Sequence, residues 1–304
     1  MGALQIMFDK GQEKDWFGSD LIRVLAAIAL VFLTAFVIRE LTVEDPIVRF
    51  RILQSRTFAT GIALVTVLGF GLYGSLVLLP LFMQTLLGWT AVTAGIWTSP
   101  RGIGMALSMP LVGYLLGKGW DGRWMLAFGF GTAGVAFFGY SHMALQSGTW
   151  DIFWYQINQG VGMSFLFVPL TTLTMGPISQ EETGYATSLF SVMRNIGASM
   201  GISFVTTAVT RRSQFHQSIL SSHVTSLNLI TRQRLEHLAN LMQLSGVDRV
   251  TAGQKADGVL YRILQQQASL LSYLDVFHIM GILFLVVVPL ILLMQQRQRQ
   301  GAAR

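Results

Sequence analysis

The sequence predicts an all-α polytopic membrane protein with about seven transmembrane helices, and two observations support this fold class. Hydrophobic residues make up 52% of the 304 residues and charged residues only 12%, whereas a soluble domain carries roughly 25% charge. The apolar residues also fall into seven runs that are each about long enough to cross a bilayer. These predicted spans are 21–38, 58–79, 93–116, 124–140, 152–175, 184–209 and 274–294.

The second to sixth spans are rich in Gly, Ala, Ser and Thr, which is typical of closely packed transmembrane helices. Gly197 and Gly201 form a GxxxG pair in the sixth span, which suits close helix packing. The first and last spans contain few small residues, which indicates lipid-facing or peripheral helices.

The loops divide the chain further. Residues 1–20 read as the end of a preceding span and an external loop, and 21–56 as an accessory transmembrane helix with a cytoplasmic linker. A six-helix bundle over 57–294 includes an external lobe at 211–271 with one or two amphipathic helices, and 295–304 form a cytoplasmic tail. The orientation follows from the short loops, where Arg56, Lys118 and Arg123 mark the cytoplasmic side.

Several function classes are excluded or disfavoured. The net charge of +6 does not indicate nucleic-acid binding, because the basic residues cluster in short loops and act as topology signals. The sequence has no cysteine, no metal-ligand spacing among its five histidines, and neither a hydrolase nor a phosphate-loop motif. We therefore expect no metal, no cofactor and no enzymatic activity, so an ion gradient would energise any transport.

Five blocks with their spacing resemble the fourteen-span drug:proton antiporters of the major facilitator superfamily. They are GALQIMFDKGQEKDWF at 2–17, PIVRFRILQSRTFATG at 46–61, YGSLVLLPLFMQTLLGWTAVTAG at 73–95, SPRGIGMALSMPLVGYLLGKGWDGR at 99–123, and GVGMSFLFVPLTTLTM with GYATSLFSVMRNIGASMG within 160–201. The resemblance covers the second half of such a protein, from the end of its seventh span to its fourteenth.

The resemblance implies proton-coupled efflux of hydrophobic or amphipathic drugs across the cell membrane, which is the inner membrane in a Gram-negative bacterium. It implies as partners the lipid bilayer, drug-like substrates, protons, a separate N-terminal half and a periplasmic adaptor protein. The alternative is a non-transporting membrane fragment or one subunit of a split transporter.

Arg101 and Arg194 lie near the middle of the third and sixth predicted spans. A cation there costs about 2.5–3.5 kcal/mol on insertion scales, so both are expected to face the bundle interior or a cavity. Each could contact an acidic substrate or an acid of the missing half. Each could equally be a structural pin, which here means an arginine that joins helices through hydrogen bonds to neighbouring carbonyls or polar side chains. Asn195 could share the hydrogen bonds of Arg194.

Three amides, Gln156, Asn158 and Gln159, fall within one helical turn of the fifth span. They could contact substrate in the cavity or form interhelical hydrogen bonds, and the second interpretation is slightly favoured. Phe165 and Met193 could line a polyspecific cavity, since soft and adaptable side chains suit varied ligands, or they could be ordinary packing residues.

The segment 113–123 resembles a degenerate copy of the superfamily's cytoplasmic loop motif. By this resemblance Gly113, Gly117, Asp121 and Arg123 form a gating loop, in which Asp121 and Arg123 pair with a neighbouring helix end. A solvated turn is the alternative. Asp275 and His278 are three residues apart at the start of the last span, where we expect an interfacial pair and a proton relay is the alternative.

Overall fold

The computed structural model describes residues 18–43, 50–224 and 228–291, together with residues 3, 6, 7, 10, 11 and 14. These residues form helices and no strand, which confirms the all-α class. The helices are α1 (Asp20–Thr42), α2 (Arg56–Thr85), α3 (Ala91–Thr98), α4 (Pro100–Gly117), α5 (Gly122–Ser141), α6 (Thr149–Met175), α7 (Thr183–His223), α8 (Leu229–Leu244) and α9 (Arg249–Ile291). The predicted tail at 295–304 and most of the segment 1–20 lie outside the described residues.

Within the described residues the predicted spans lie in helices, and polar caps mark several of the helix starts. Ser55 accepts a hydrogen bond from the Phe58 N–H at the start of α2, and Thr90 accepts one from the Thr93 N–H at the start of α3. Such side chains satisfy backbone donors that have no partner within the helix. Cap residues and apolar runs together therefore explain where these helices begin.

The predicted third span at 93–116 is not one helix. α3 ends at Thr98 and α4 begins at Pro100, with Ser99 serving as the cap residue of both. Proline has no N–H to donate and its ring clashes with the preceding turn, but it fits the first turn of a new helix. Arg101 accordingly lies in the first turn of α4 rather than in the interior of a continuous helix.

The helix that contains the sixth span does not end near position 209. α7 runs for 41 residues to His223, about 60 Å at 1.5 Å per residue, or twice the thickness of a bilayer's hydrocarbon core. Between Ile202 and His223 the sequence has neither Gly nor Pro to stop it. The predicted lobe at 211–271 thus consists of the end of α7, the amphipathic helix α8, and the beginning of α9, which continues through the last span.

Glycines let the central helices approach closely. A Cβ on Gly197 would overlap the carbonyl oxygen of Thr66, and one on Gly201 would overlap that of Phe70, so α7 lies directly against the α2 backbone. This contact confirms the close packing predicted from the GxxxG pair. α5 packs between α6 and α9, and α4 packs mainly against α6.

The apolar character of the helices differs along the chain. Among the described residues, Arg56–Thr85 and Arg249–Ile291 are the two helices whose length and composition suffice for crossing a membrane. α1 exposes Leu30, Val31 and Phe32 by 63–69% of their surface, in keeping with a peripheral helix. α9 buries Phe277 and Phe284 completely on one face and exposes Val286 on the other.

Candidate functional site

Arg101 is buried where α2, α4 and α6 meet. Its side chain is 7% exposed, and its Nε donates a hydrogen bond of 3.0 Å to Oε1 of Gln156 on α6. Its Nη1 lies 3.3 Å from Oγ of Ser75 on α2, and that hydroxyl donates onward to the Leu72 carbonyl. The guanidinium therefore connects three helices, as the structural-pin interpretation requires.

A second buried pair lies one turn further along α6. The Tyr140 hydroxyl on α5 donates to Oε1 of Gln159 over 3.5 Å, a long hydrogen bond, and both side chains are fully buried. We call Ser75, Arg101, Tyr140, Gln156 and Gln159 the polar cluster. It has contributions from four helices: α2, α4, α5 and α6.

The polar cluster retains donors without acceptors. Nη2 of Arg101, Nε2 of Gln156 and Nε2 of Gln159 are buried and have no hydrogen-bond partner among the described residues. Rotating the Gln156 amide would not help, because its oxygen must face the guanidinium. Unpaired buried donors cost free energy. These donors are therefore suited to bind an acceptor oxygen, in particular that of a carboxylate.

Two glycines bring α4 and α6 close enough to form these contacts. A Cβ on Gly160 would overlap the Arg101 carbonyl, and a Cβ on Gly104 would lie 2.5 Å from the Ile157 carbonyl oxygen. No larger residue fits at either position without moving a helix backbone. Gly104 and Gly160 thereby determine how closely Arg101 approaches Gln156.

Asn158 does not join the polar cluster. Its Nδ2 donates a 3.0 Å hydrogen bond to the Thr132 carbonyl on α5. Gln156 and Gln159 also bond across helices, so all three amides form interhelical hydrogen bonds.

Arg194 lies against α2 outside the polar cluster, where its carbonyl is the atom that a Cβ on Gly69 would meet. Its Nε is buried and unpartnered among the described residues. Asn195 is exposed and shares no hydrogen bond with it in the described part of the chain. The expected sharing between Arg194 and Asn195 is therefore not observed, because adjacent residues on a helix point about 100° apart.

The two predicted cavity-lining apolar residues lie in different places. Phe165 is 9% exposed and belongs to a small cluster with Val112 and Met125, where its ring meets Phe128 edge-on at 4.8 Å. Met193 is half-buried at the edge of the main core. The sequence did not predict Ser75 and Tyr140 as members of the polar cluster. The only feature that could have indicated them is a polar atom within each apolar run.

The loop before α5 is a tight turn. Gly119 adopts a positive φ of 83°, and Oδ1 of Asp121 accepts a 3.0 Å hydrogen bond from the Arg123 N–H, so Asp121 caps α5. A Cβ on Gly113 or Gly117 would meet no atom within 4 Å. The ends of α4 and α5 therefore present an open surface at the predicted gating loop.

The predicted pair between Asp275 and His278 is wrong. Oδ2 of Asp275 lies 2.7 Å from Nε2 of His216 and 3.3 Å from Nε of Arg212, both on α7. The His278 ring instead meets Phe138 edge-on at 5.0 Å. Asp275 thus ties α9 to α7 outside the polar cluster.

Comparison with known proteins identifies the family to which this fold belongs. The family model for the Major Facilitator Superfamily matches residues 15–202. The chain is 33% identical over 292 residues to the fatty acid resistance protein FarB of Neisseria gonorrhoeae, covering 96% of this chain and 56% of that protein. It is 33% identical to the multidrug export protein EmrB of Haemophilus influenzae, covering 94% and 56%, and 30% identical to EmrB of Escherichia coli K12, covering 96% and 55%.

The chain spans about half the length of the curated relatives it matches. The match with the family model and the sequence identity with these relatives over nearly the whole chain agree with the all-α bundle, whose helices pack closely at glycines. The chain belongs to the major facilitator superfamily and has the all-α fold of its membrane transporters.

Proposed function

We propose that this chain is the C-terminal half of a fourteen-span, proton-coupled exporter of hydrophobic or amphipathic drugs in the cell membrane. The observation that carries the proposal is the polar cluster, in which a buried Arg101 and two buried amides hold unused donors at the junction of four helices. The names of its relatives, multidrug export and fatty acid resistance proteins, support the substrate class.

In this proposal the seven predicted spans cross the membrane, and the bundle over 57–294 rocks against an N-terminal half to give alternating access. Arg101 orients Gln156 and presents Nη2 to an acceptor oxygen on the substrate or on an acid of the other half. Phe165, Met193 and Arg194 border the substrate cavity between the two halves. The loop 113–123 forms part of the cytoplasmic gate. An acid of the N-terminal half carries the proton.

The second candidate is a membrane fragment that does not transport. The chain covers only 55–56% of its three relatives, and the apolar face of α3 and α4 is open, with Val92 and Leu107 exposed by 73% and 76%. In a membrane such a face contacts either lipid or another helix, and in the fragment it contacts lipid. A separate N-terminal half covers it in the split-transporter version of the proposal.

Dye efflux distinguishes these functions. We would express the chain alone, the N-terminal half of the Haemophilus relative alone, and a fusion of the two in bacteria that lack their main efflux pumps. We expect ethidium efflux and drug resistance from the fusion only, abolished by a protonophore. A fusion that reaches the membrane in normal amount without efflux argues for the fragment, and resistance from the chain alone refutes the need for a second half.

The periplasmic adaptor is a further part of the proposal, and the lobe at 211–271 is the surface that would contact it. α8 has no buried residue and exposes Ile230 and Leu244 by 70% and 85%. Crosslinking from Ile230 in the functional fusion, with and without the adaptor of the same relative, tests this contact. A crosslink that forms without the adaptor present contradicts it.

A further inference from the structure

A groove between α7 and α9 lies apart from the polar cluster. Its volume is about 530 Å³, within the range of small-molecule sites. Phe70 of α2, Met200 and Phe204 of α7 and Ile279 of α9 form its apolar walls, and the rings of Phe70 and Phe204 are 5.4 Å apart. We call it the α7–α9 groove.

One end of the groove is positively charged. Arg211 and Arg212 line it there, on the part of α7 that extends toward the predicted external lobe. Arg212 is held by Asp275 at 3.3 Å. Arg211 is exposed and forms no ion pair with any residue in the described part of the chain, so its charge is available to a ligand.

One residue that lines the same groove carries a buried hydroxyl. Oγ1 of Thr207 is buried and lacks a hydrogen-bond partner among the described residues, and Thr207 is one of the residues that line the groove. It precedes Arg211 by four residues and follows Phe204 by three, so all three lie on one face of α7. An unsatisfied hydroxyl beside a free guanidinium is an incomplete set of donors for one small anion.

We propose that the α7–α9 groove binds a single-chain amphiphile with a carboxylate head. The acyl chain lies between Phe204 and Ile279, and the carboxylate accepts hydrogen bonds from Arg211 and Thr207. A single chain matches one apolar groove with one charged end, and the charge of Arg211, which no carboxylate among the described residues neutralises, repels cationic amphiphiles. This site shares no residue with the polar cluster, and its test requires no transport.

Dodecanoate binding to the chain in phosphatidylcholine nanodiscs tests the proposal, measured by displacement of a fluorescent fatty acid. Arg211→Gln removes the charge and Thr207→Val removes the hydroxyl while keeping the side-chain shape. We expect Arg211→Gln to weaken dodecanoate binding about tenfold, as the loss of a charge-assisted hydrogen bond predicts, and Thr207→Val to weaken it several-fold. Dodecanol binding should stay unchanged in both variants.

Arg234→Gln is the matched control, because Arg234 is an exposed arginine on α8 outside the groove. Circular dichroism melting confirms that each variant is folded. Equal dodecanoate affinity of the original chain and Arg211→Gln overturns the proposal, as does equal affinity for dodecanoate and dodecylamine. Native mass spectrometry tests a bilayer phospholipid as the occupant instead. The proposal is overturned in favour of phosphatidylglycerol if this lipid stays bound to the original chain, is lost from Arg211→Gln and is not displaced by dodecanoate.

Discussion

Arg101 and Gln156, which are 55 residues apart in the chain, form a buried hydrogen bond of 3.0 Å from Nε to Oε1. The guanidinium is charged at every physiological pH, so the bond is charge-assisted and stronger than one between neutral groups. Its strength depends on both partners being present, which the first two predictions test.

Gln156→Leu is expected to destabilise the chain by about 1.5–3 kcal/mol, the range for a lost hydrogen bond to a charged group. The guanidinium would then keep a buried Nε without an acceptor. The measurement is chemical unfolding of the purified chain in mixed micelles. Gln267→Leu, at an exposed position on α9, is the control, and an equal free energy of unfolding for both variants contradicts the prediction.

Arg101→Met combined with Gln156→Leu is expected to cost less stability than Gln156→Leu alone. Replacing both members of a buried polar pair by apolar groups of similar size removes the orphaned charge. A double-mutant cycle in the same unfolding assay gives the coupling energy, expected between about 0.5 and 3 kcal/mol. Additive effects of the two substitutions would show that the residues do not act as a pair.

Gly104→Ala is expected to destabilise the chain by about 1–3 kcal/mol, the usual cost of overpacking, because its Cβ would lie 2.5 Å from a backbone oxygen of α6. Gly113→Ala on the same helix meets no atom within 4 Å and is expected to stabilise it by up to about 1 kcal/mol through helix propensity. Thermal unfolding compares the two. A stabilising Gly104→Ala would contradict the close α4–α6 contact.

Asp275→Asn is expected to loosen the end of α7 by about 0.2–1 kcal/mol, since Asp275 is partly exposed and pairs with Arg212 and His216. Hydrogen exchange at 211–223 should rise, and added salt should raise it in the original chain more than in the variant. Asp257→Asn, an exposed carboxylate on α9, is the control. Unchanged exchange in Asp275→Asn would show that the pair contributes nothing.

Asp248 is expected to support the first turn of α9 in a pH-dependent way. Hydrogen bonds from Thr251, one of them from its N–H at 3.0 Å, lower the pKa of this exposed carboxyl. Its contribution is therefore complete above the pKa of an unfolded aspartate, about 3.9, and is lost as the pH falls through the lower folded value. Thr251→Ala should raise the midpoint in a carboxyl NMR titration, and an unshifted midpoint would contradict this assignment.

The sequence alone determined which segments are helical and that the chain is an apolar all-α bundle. Run length, small-residue content and Gly spacing are local properties, so the helical segments and the close packing at Gly197 and Gly201 were predictable, whereas the partner helix α2 was not. The break at Pro100 was readable in principle, since proline disfavours the helical conformation in the residue before it, but the continuous apolar run concealed it.

Only the tertiary structure decided which side chains meet. Arg101 contacts Gln156 and Ser75, Asn158 bonds to Thr132, and Asp275 pairs with His216 rather than with its neighbour His278. These partners lie 26 to 59 residues apart in the chain. Their meeting depends on how far each helix is rotated and how closely glycines let the backbones approach, and helical periodicity in a single segment does not contain that information.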